Sequence, residues 1–407
     1  MSFLNRVDIQ SADNATVDAF GKIQTSQLYT MFDAKQTNDN APLFWDTELI
    51  NGGTATHSIS GASTIMEVTT TGDAVIRQTK QRFNYQSGKG QDILMTGTFS
   101  PILNTNAKAG YFHSSYTTPF NTGYDGVWFE GDETTVYCVI YKSGVEKHKV
   151  AQANWNIDRL DGSGGQFNPS GITSDWTKSQ ILHIDFEWLG IGRVRWFLVI
   201  NGKKVQVHEY NISNSDIGVY MSSPNQPLRY ELRSTGGSAT LEQICSSVSS
   251  QGGLDRNGVL RSIPDSAVII GNGANECVLA FRLKDGYDDI TAFPSRISIL
   301  DSDGDNIRWY LTLNATLSTP LLEGTTFTSL PNSSIEYITP DVTVTDEGII
   351  VEEGYATTGN EVIASNPDSA IRLGRAIDGT RDIWYLCVQN LGNGGTVRRS
   401  VGIRELL

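Results

Sequence analysis

The sequence predicts an all-β protein: two β-sandwich domains, jelly-roll or lectin-like, behind an extended N-terminal arm. The first observation is the stretch Leu182–Tyr210, LHIDFEWLGIGRVRWFLVINGKKVQVHEY. Read with period two, it puts Leu182, Ile184, Phe186 and Trp188 on one face and His183, Asp185 and Glu187 on the other. A tight connection over Leu189–Gly192 leads to a second run, Arg193–Ile200, and then to Asn201-Gly202. Asn-Gly favours the type I′ turn, which needs positive φ at both central residues. Three antiparallel strands with one apolar face follow, and that face must be buried against a second sheet.

The second observation is composition. Hydrophobic residues make up 39% and charged residues 19% of 407, with 40 glycines. That suits short strands joined by many turns rather than helices rich in Ala, Glu and Lys. The third is spacing. From Pro42 onward strand-like runs recur through Ala74–Arg82, Asp92–Phe99, Gly126–Phe129, Thr135–Tyr141 and Arg229–Leu232, separated by Gly/Asn/Ser/Asp clusters. Several short strands so spaced suggest a sandwich or jelly roll.

Three segments are expected. Residues 1–40 are polar and short of large apolar side chains, as in an arm that orders on a partner. Residues 41–253 form the first sandwich. The Gly- and Ser-rich Ser246–Gly258 reads as a linker, and residues 254–407 form a second, smaller β domain.

Several function classes are excluded. The net charge of −14 and the lack of a basic stripe argue against nucleic-acid binding. No apolar run reaches the roughly 20 residues of a membrane helix, and no signal-peptide core is evident. Cys138, Cys245, Cys277 and Cys387 lie far apart in sequence in apolar runs, which reads as buried free thiols without a zinc site. No metal and no cofactor is expected. Asp301, Asp303 and Asp305 resemble a calcium loop, but position six is Asn306 and position twelve is Thr312, where Gly and Glu belong. An acidic hairpin turn is the plainer reading. The eight tryptophans lie mostly in strand runs and read as core.

One constellation could carry chemistry. Asp185 and Glu187 project from one face of one strand, as paired acids do in sandwich-fold glycoside hydrolases, where about 5–5.5 Å between carboxyls gives retention. Two positions earlier, however, stands His183, not a third acid. If the connecting loop has an odd number of residues, Asp185 and Glu187 face Arg195 and Arg193 in ion pairs. His183, Asp185 and Glu187 are thus candidate ligand-binding residues, and no catalytic residue is assigned.

Several long phrases resemble a poorly characterised family of virion structural proteins of marine tailed phages and large algal DNA viruses. They are DAFGKIQTS (18–26), LYTMFDAKQTNDNAPLFWD (28–46), RFNYQSGKGQDILMTGTF (82–99), ANWNIDRLDG (153–162), HIDFEWLGIGRVRW (183–196), YMSSPNQPLRYEL (220–232) and AIDGTRDIW (376–384). The resemblance implies a particle component, not an enzyme, assembled in the host cytoplasm on other virion proteins at the capsid, portal or tail. A homo-oligomer, preferably a trimer, is expected from the cyclic symmetry of such parts. A module binding a host receptor or glycan is the second expectation and a sandwich-fold glycoside hydrolase the third.

Overall fold

The computed structural model describes residues 28–256, 258–303, 306–357, 362–364 and 371–406. Among these, regular structure is β-strand apart from one 3-10 turn at Gln152–Asn154. The chain divides into two compact units. One comprises Met1–Gln78, Tyr85–Ser115 and Pro119–Leu254; the other comprises Thr79–Asn84, Tyr116–Thr118 and Asp255–Leu407.

The first unit holds β1 (Leu28–Lys35), β2 (Trp45–Ile50), β3 (Thr54–Ser58), β4 (Ser63–Val68), β5 (Ala74–Thr79), β6 (Gly90–Phe99), β7 (Thr105–His113) and β8 (Asp125–Asp132). Then come β9 (Thr135–Lys142), β10 (Val145–Ala151), β11 (Ser179–Glu187), β12 (Arg193–Ile200), β13 (Lys203–Asn211), β14 (Leu228–Ser234) and β15 (Ala239–Gln251). They form two antiparallel sheets. One has the order β13-β12-β11-β6-β15-β4-β3 with β1 added on β15, and the other the order β10-β9-β8-β7-β14-β5-β2.

The two sheets pack face to face through the side chains that the alternation picks out. Leu182, Ile184 and Phe186 of β11 and Val194, Trp196 and Leu198 of β12 are all buried. Phe186 meets Tyr111 of β7 with ring centroids 5.5 Å apart, and the Trp196 indole N–H donates to the Trp128 carbonyl at 3.3 Å. Asn201 and Gly202 have φ of 52° and 75°, the two left-handed residues that a type I′ turn requires.

Two boundaries differ from the sequence reading. Leu28–Lys35, expected within the arm, is a strand paired along β15, with Leu28 opposite Gln251 and Lys35 opposite Cys245. Phe32 and Ala34 bury on the sheet, a short signal diluted by the polar residues around it. Residues 1–27 of the expected arm lie outside the described residues. Ser246–Gln251, expected as linker, is the second half of β15 and pairs with β6. Small serines satisfy a two-sided ladder as well as they suit a linker, so composition misled there.

The second unit holds β16 (Val259–Ile270), β17 (Asn275–Leu283), β18 (Thr291–Asp301), β19 (Ile307–Leu313), β20 (Thr316–Leu317), β21 (Thr328–Ser329) and β22 (Ile335–Ile338). It continues with β23 (Val342–Asp346), β24 (Ile349–Ala356), β25 (Val362–Ala364), β26 (Trp384–Asn390) and β27 (Gly395–Leu406). One sheet has the order β16-β27-β18-β25. The other has the order β20-β23-β17-β26-β19-β24, with β22 also on β17. Ile299 and Val401 from the first and Phe281, Trp309 and Leu386 from the second share the main core. A separate apolar cluster of Cys277, Tyr310, Leu317, Val344, Tyr385 and Cys387 covers the opposite face of the second sheet.

The strips Thr79–Asn84 and Tyr116–Thr118 complete this unit. The Arg375 N–H donates to the Lys80 carbonyl at 2.9 Å, and the Asn84 amide donates to the Leu406 carbonyl at 3.3 Å. Tyr116 donates to Asp288 at 2.6 Å and lies beneath the Arg375 guanidinium at 4.2 Å.

Candidate functional site

The hairpin joining β11 to β12 sets the site. The Gly192 N–H donates to the Trp188 carbonyl at 2.8 Å. A Cβ at Gly192 would stand 1.7 Å from the Glu187 carbonyl oxygen, so only glycine fits this close return. Five residues separate the strands, and the resulting register places Asp185 opposite Arg195 and Glu187 opposite Arg193. The odd-loop alternative of the sequence reading is the arrangement observed.

Asp185 is held at both oxygens. Arg195 Nε donates to Oδ1 and Nη2 to Oδ2, each at 2.7 Å, the bidentate geometry that suits a guanidinium and a carboxylate. Arg195 Nη2 also stands 3.7 Å from Glu187 Oε1, and Lys204 Nζ stands 3.8 Å from Asp185 Oδ2. Arg195 is fully buried, and Asp185 and Glu187 are each 1% exposed. Burial works against the Arg195 charge, but Asp185, Glu187 and Asp92 outweigh it and hold its pKa above the ordinary arginine value.

His183 turns to the neighbouring strand instead. Asp92 of β6 lies opposite Asp185, so its side chain emerges on the same face. His183 Nε2 is 2.7 Å from Asp92 Oδ1, and Gln251 of β15 donates to Asp92 Oδ2 at 2.7 Å. Burial pushes the Asp92 carboxyl up, yet His183, Lys204 and Gln251 together hold it below its usual range. An ionised carboxylate only accepts, so the hydrogen sits on His183 Nε2. Phe197 backs the cluster, stacked on His183 at 5.0 Å with Lys204 Nζ 4.1 Å from its ring centre.

Asp92, His183 and Asp185 bring ligand-type atoms within 4.8 Å of one another. That set does not fit a metal ion. Both Asp185 oxygens are engaged by Arg195, and the nitrogen facing Asp92 carries a proton. A cation arriving there would also meet the positive charges of Arg195 and Lys204, the side chain of Lys204 being 34% accessible. Arg195 and Lys204 already provide the counter-charge a metal would supply.

The structure thus brings His183, Asp185 and Glu187 into one cluster and adds Asp92, Arg195, Lys204 and Gln251. Arg195 was legible from strand register. Lys204 lies in the same Leu182–Tyr210 stretch, on the next strand β13, while Asp92 and Gln251 come from β6 and β15, far away in sequence, and no local pattern marks them.

A second polar pair was not foreseen. His148 of β10 and His208 of β13 sit on the edge strands of the two sheets with their Nε2 atoms 2.7 Å apart and their rings stacked at 5.0 Å. The Asn156 N–H donates to His208 Nδ1 at 3.2 Å, so His208 carries its proton on Nε2 and donates to His148. Burial lowers the His148 pKa to about 4; burial and the His148 ring lower that of His208 to about 3.

The other candidates fall to structural roles. Asp301 Oδ1 accepts from the Asp303 N–H and Asp303 Oδ2 from the Thr396 N–H, so both carboxylates brace the turn. Asp305 lies outside the described residues, and the hydroxyl of Thr312, in β19, donates to the Glu347 carbonyl in the turn between β23 and β24. Trp45, Trp128, Trp155, Trp196, Trp309 and Trp384 are at most 2% exposed, which removes them as sugar-stacking platforms.

No protein-family model and no curated protein matches the sequence. Solved structures that are similar include a β-glucanase of Bacillus licheniformis, 13% identical with a TM-score of 0.32, covering 53% of this chain and 96% of its own. The exoplasmic/lumenal domain of VIP36 is 9% identical with a TM-score of 0.35, covering 55% and 89%. The legume lectin-like domain from Entamoeba histolytica is 8% identical with a TM-score of 0.32, covering 55% and 98%.

Proposed function

We propose that this chain is a non-enzymatic structural component of a virus particle, a homotrimer that docks on neighbouring virion proteins through the segment preceding β1. The observation that carries the non-enzymatic part is the Arg195 clamp. Glycoside hydrolysis by paired acids needs one carboxyl free to protonate the leaving oxygen and the other free to attack or to activate water. Asp185 has both oxygens in charged hydrogen bonds, Glu187 is 1% exposed beside the same guanidinium, and His183 occupies the place of a further acid. The particle role draws on the resemblance of the long phrases to virion structural proteins and on regular structure that, among the described residues, is almost wholly β-strand.

A host-glycan contact is the second reading, and it draws on the polar character of the His183, Asp185 and Glu187 face. Burial of all three weighs against them as the contact residues. The test is mass spectrometry of purified particles together with light scattering of the isolated protein. The proposal expects the chain in the particle and a trimeric mass in solution. Absence from particles, or polysaccharide cleavage abolished by Glu187→Gln, overturns it. Glycan-array binding lost in Asp185→Ala would favour the second reading instead.

A further inference from the structure

In the second unit, Cys277 of β17 and Cys387 of β26 lie directly opposite one another across an antiparallel ladder. Neighbouring residues so placed have Cα atoms about 4.5–5.5 Å apart, inside the roughly 4.4–6.8 Å that a disulfide spans. Both are free thiols, fully buried in the cluster with Tyr310, Leu317, Val344 and Tyr385. Tyr310 of β19 is opposite Cys387 on its other side, so the three side chains form one row across three strands.

The ladder is irregular at this point. Cys277 pairs with Cys387 and Leu279 with Leu386, leaving Val278 as the extra residue of a bulge. Such bulges re-aim the adjoining side chain. The Val278 carbonyl accepts from Nε of the buried Arg399, whose other acceptors are the Pro264 carbonyl at 2.9 Å and the Thr339 hydroxyl at 2.6 Å. The Arg399 guanidinium, hydrogen-bonded to these neutral acceptors and within the field of the Asp265 carboxylate, thus reaches the backbone one residue along from Cys277. Its charge favours a thiolate there, against the burial and the Cys387 neighbour that push the Cys277 thiol up.

We propose that Cys277 and Cys387 are a redox-closing pair that forms a cross-strand disulfide when the protein meets a low-molecular-weight disulfide oxidant. The Cys277 thiolate attacks one sulfur of oxidised glutathione, forming a mixed disulfide and releasing one glutathione thiolate. The Cys387 thiolate then attacks the Cys277 sulfur, forming the Cys277–Cys387 bond and releasing the second glutathione. The pair gives up two electrons and two protons; the oxidant takes up both and leaves as two thiols. Access comes through the outer side of β17, where only Glu276 and Cys277 pair with β23, opposite Thr343 and Val342. A two-residue pairing is a natural place for local opening. The chemistry is independent of the role proposed above.

The experiment treats the full, reduced chain with oxidised glutathione, alkylates remaining thiols after denaturation, and maps peptides by mass spectrometry without reduction. The expected result is a peptide linking Cys277 to Cys387, with Cys138 and Cys245 alkylated and the intact mass lower by two hydrogens. The thermal midpoint of the oxidised protein should exceed that of the reduced protein, because the bond closes a loop of roughly a hundred residues. That rise should vanish in Cys387→Ala and Cys277→Ala, and the wild-type peptide map stands even if those variants fold poorly. Both thiols still alkylated, glutathione adducts without a link, or a link formed only in unfolded protein would overturn the proposal.

Discussion

At the scale of single residues, Arg195 is the centre of the first unit's polar face. Its removal strands carboxylates that have no water to return to. Arg195→Met is therefore expected to destabilise the unit by about 3–5 kcal/mol, read as a lower urea midpoint. Arg195→Met combined with Asp185→Leu should recover much of that loss, because deleting both partners of a buried pair is far cheaper than deleting one. The histidine pair gives a prediction of known sign. Both folded pKa values are depressed, so the unfolded chain binds protons first as pH falls. Stability from these groups is fully present above about pH 6.5 and is lost as pH drops toward the folded values near 4 and 3. The double variant His148→Gln/His208→Gln should flatten the stability profile between pH ~7 and ~5, measured by denaturation at each pH. Asp92 acts in a lower window. Its depressed pKa contributes stability above about pH 4 that disappears below its folded value.

At the scale of elements, the two turns flanking β12 differ in what their glycines do. Gly202 has φ of 75° and no atom within 4 Å of an added Cβ. Gly202→Ala should cost only the left-handed penalty of about 1–2 kcal/mol. Gly192 must avoid the Glu187 carbonyl, so Gly192→Ala has to move the hairpin and with it Arg195. It should cost more than Gly202→Ala in the same denaturation experiment, and combining it with Arg195→Met should be less than additive. These two turns also show how far the sequence reached. The Asn201-Gly202 signal is local and fixed its turn type, and the alternation of Leu182, Ile184 and Phe186 identified the core face. Asp92 and Gln251 arrive at the cluster through sheet pairing, and His148 meets His208 across two sheet edges, so no short window of sequence contains those partners; Lys204 shares the Leu182–Tyr210 stretch, but only the pairing of β13 with β12 brings it to Asp185. The serines of β15 and the run from Tyr29 to Phe32 were misread for a related reason. Their strand character depends on neighbours supplied by β6 and by each other, which average composition does not carry.

For the whole molecule, the notable feature is that the second unit is not contiguous. A cut after Leu254 removes Thr79–Asn84 and Tyr116–Thr118 from it. Arg375 then loses the Lys80 carbonyl and the Tyr116 ring, and Leu406 loses Asn84. A fragment of residues 255–407 is accordingly expected to show poor amide dispersion and early thermal unfolding, whereas the intact chain does not. Adding Tyr116→Ala to the intact chain should lower the stability of this unit alone.

This threading also orders events during synthesis. A ribosome releases the two short strips more than a hundred residues before the strands they complete, so for that interval they have no docking site to occupy. The nascent first unit has to fold around two idle stretches of backbone without trapping them, and translation must reach the last strand before Asn84 finds its carbonyl. A pause introduced near the middle of the message would lengthen that wait, making elongation speed itself a determinant of yield.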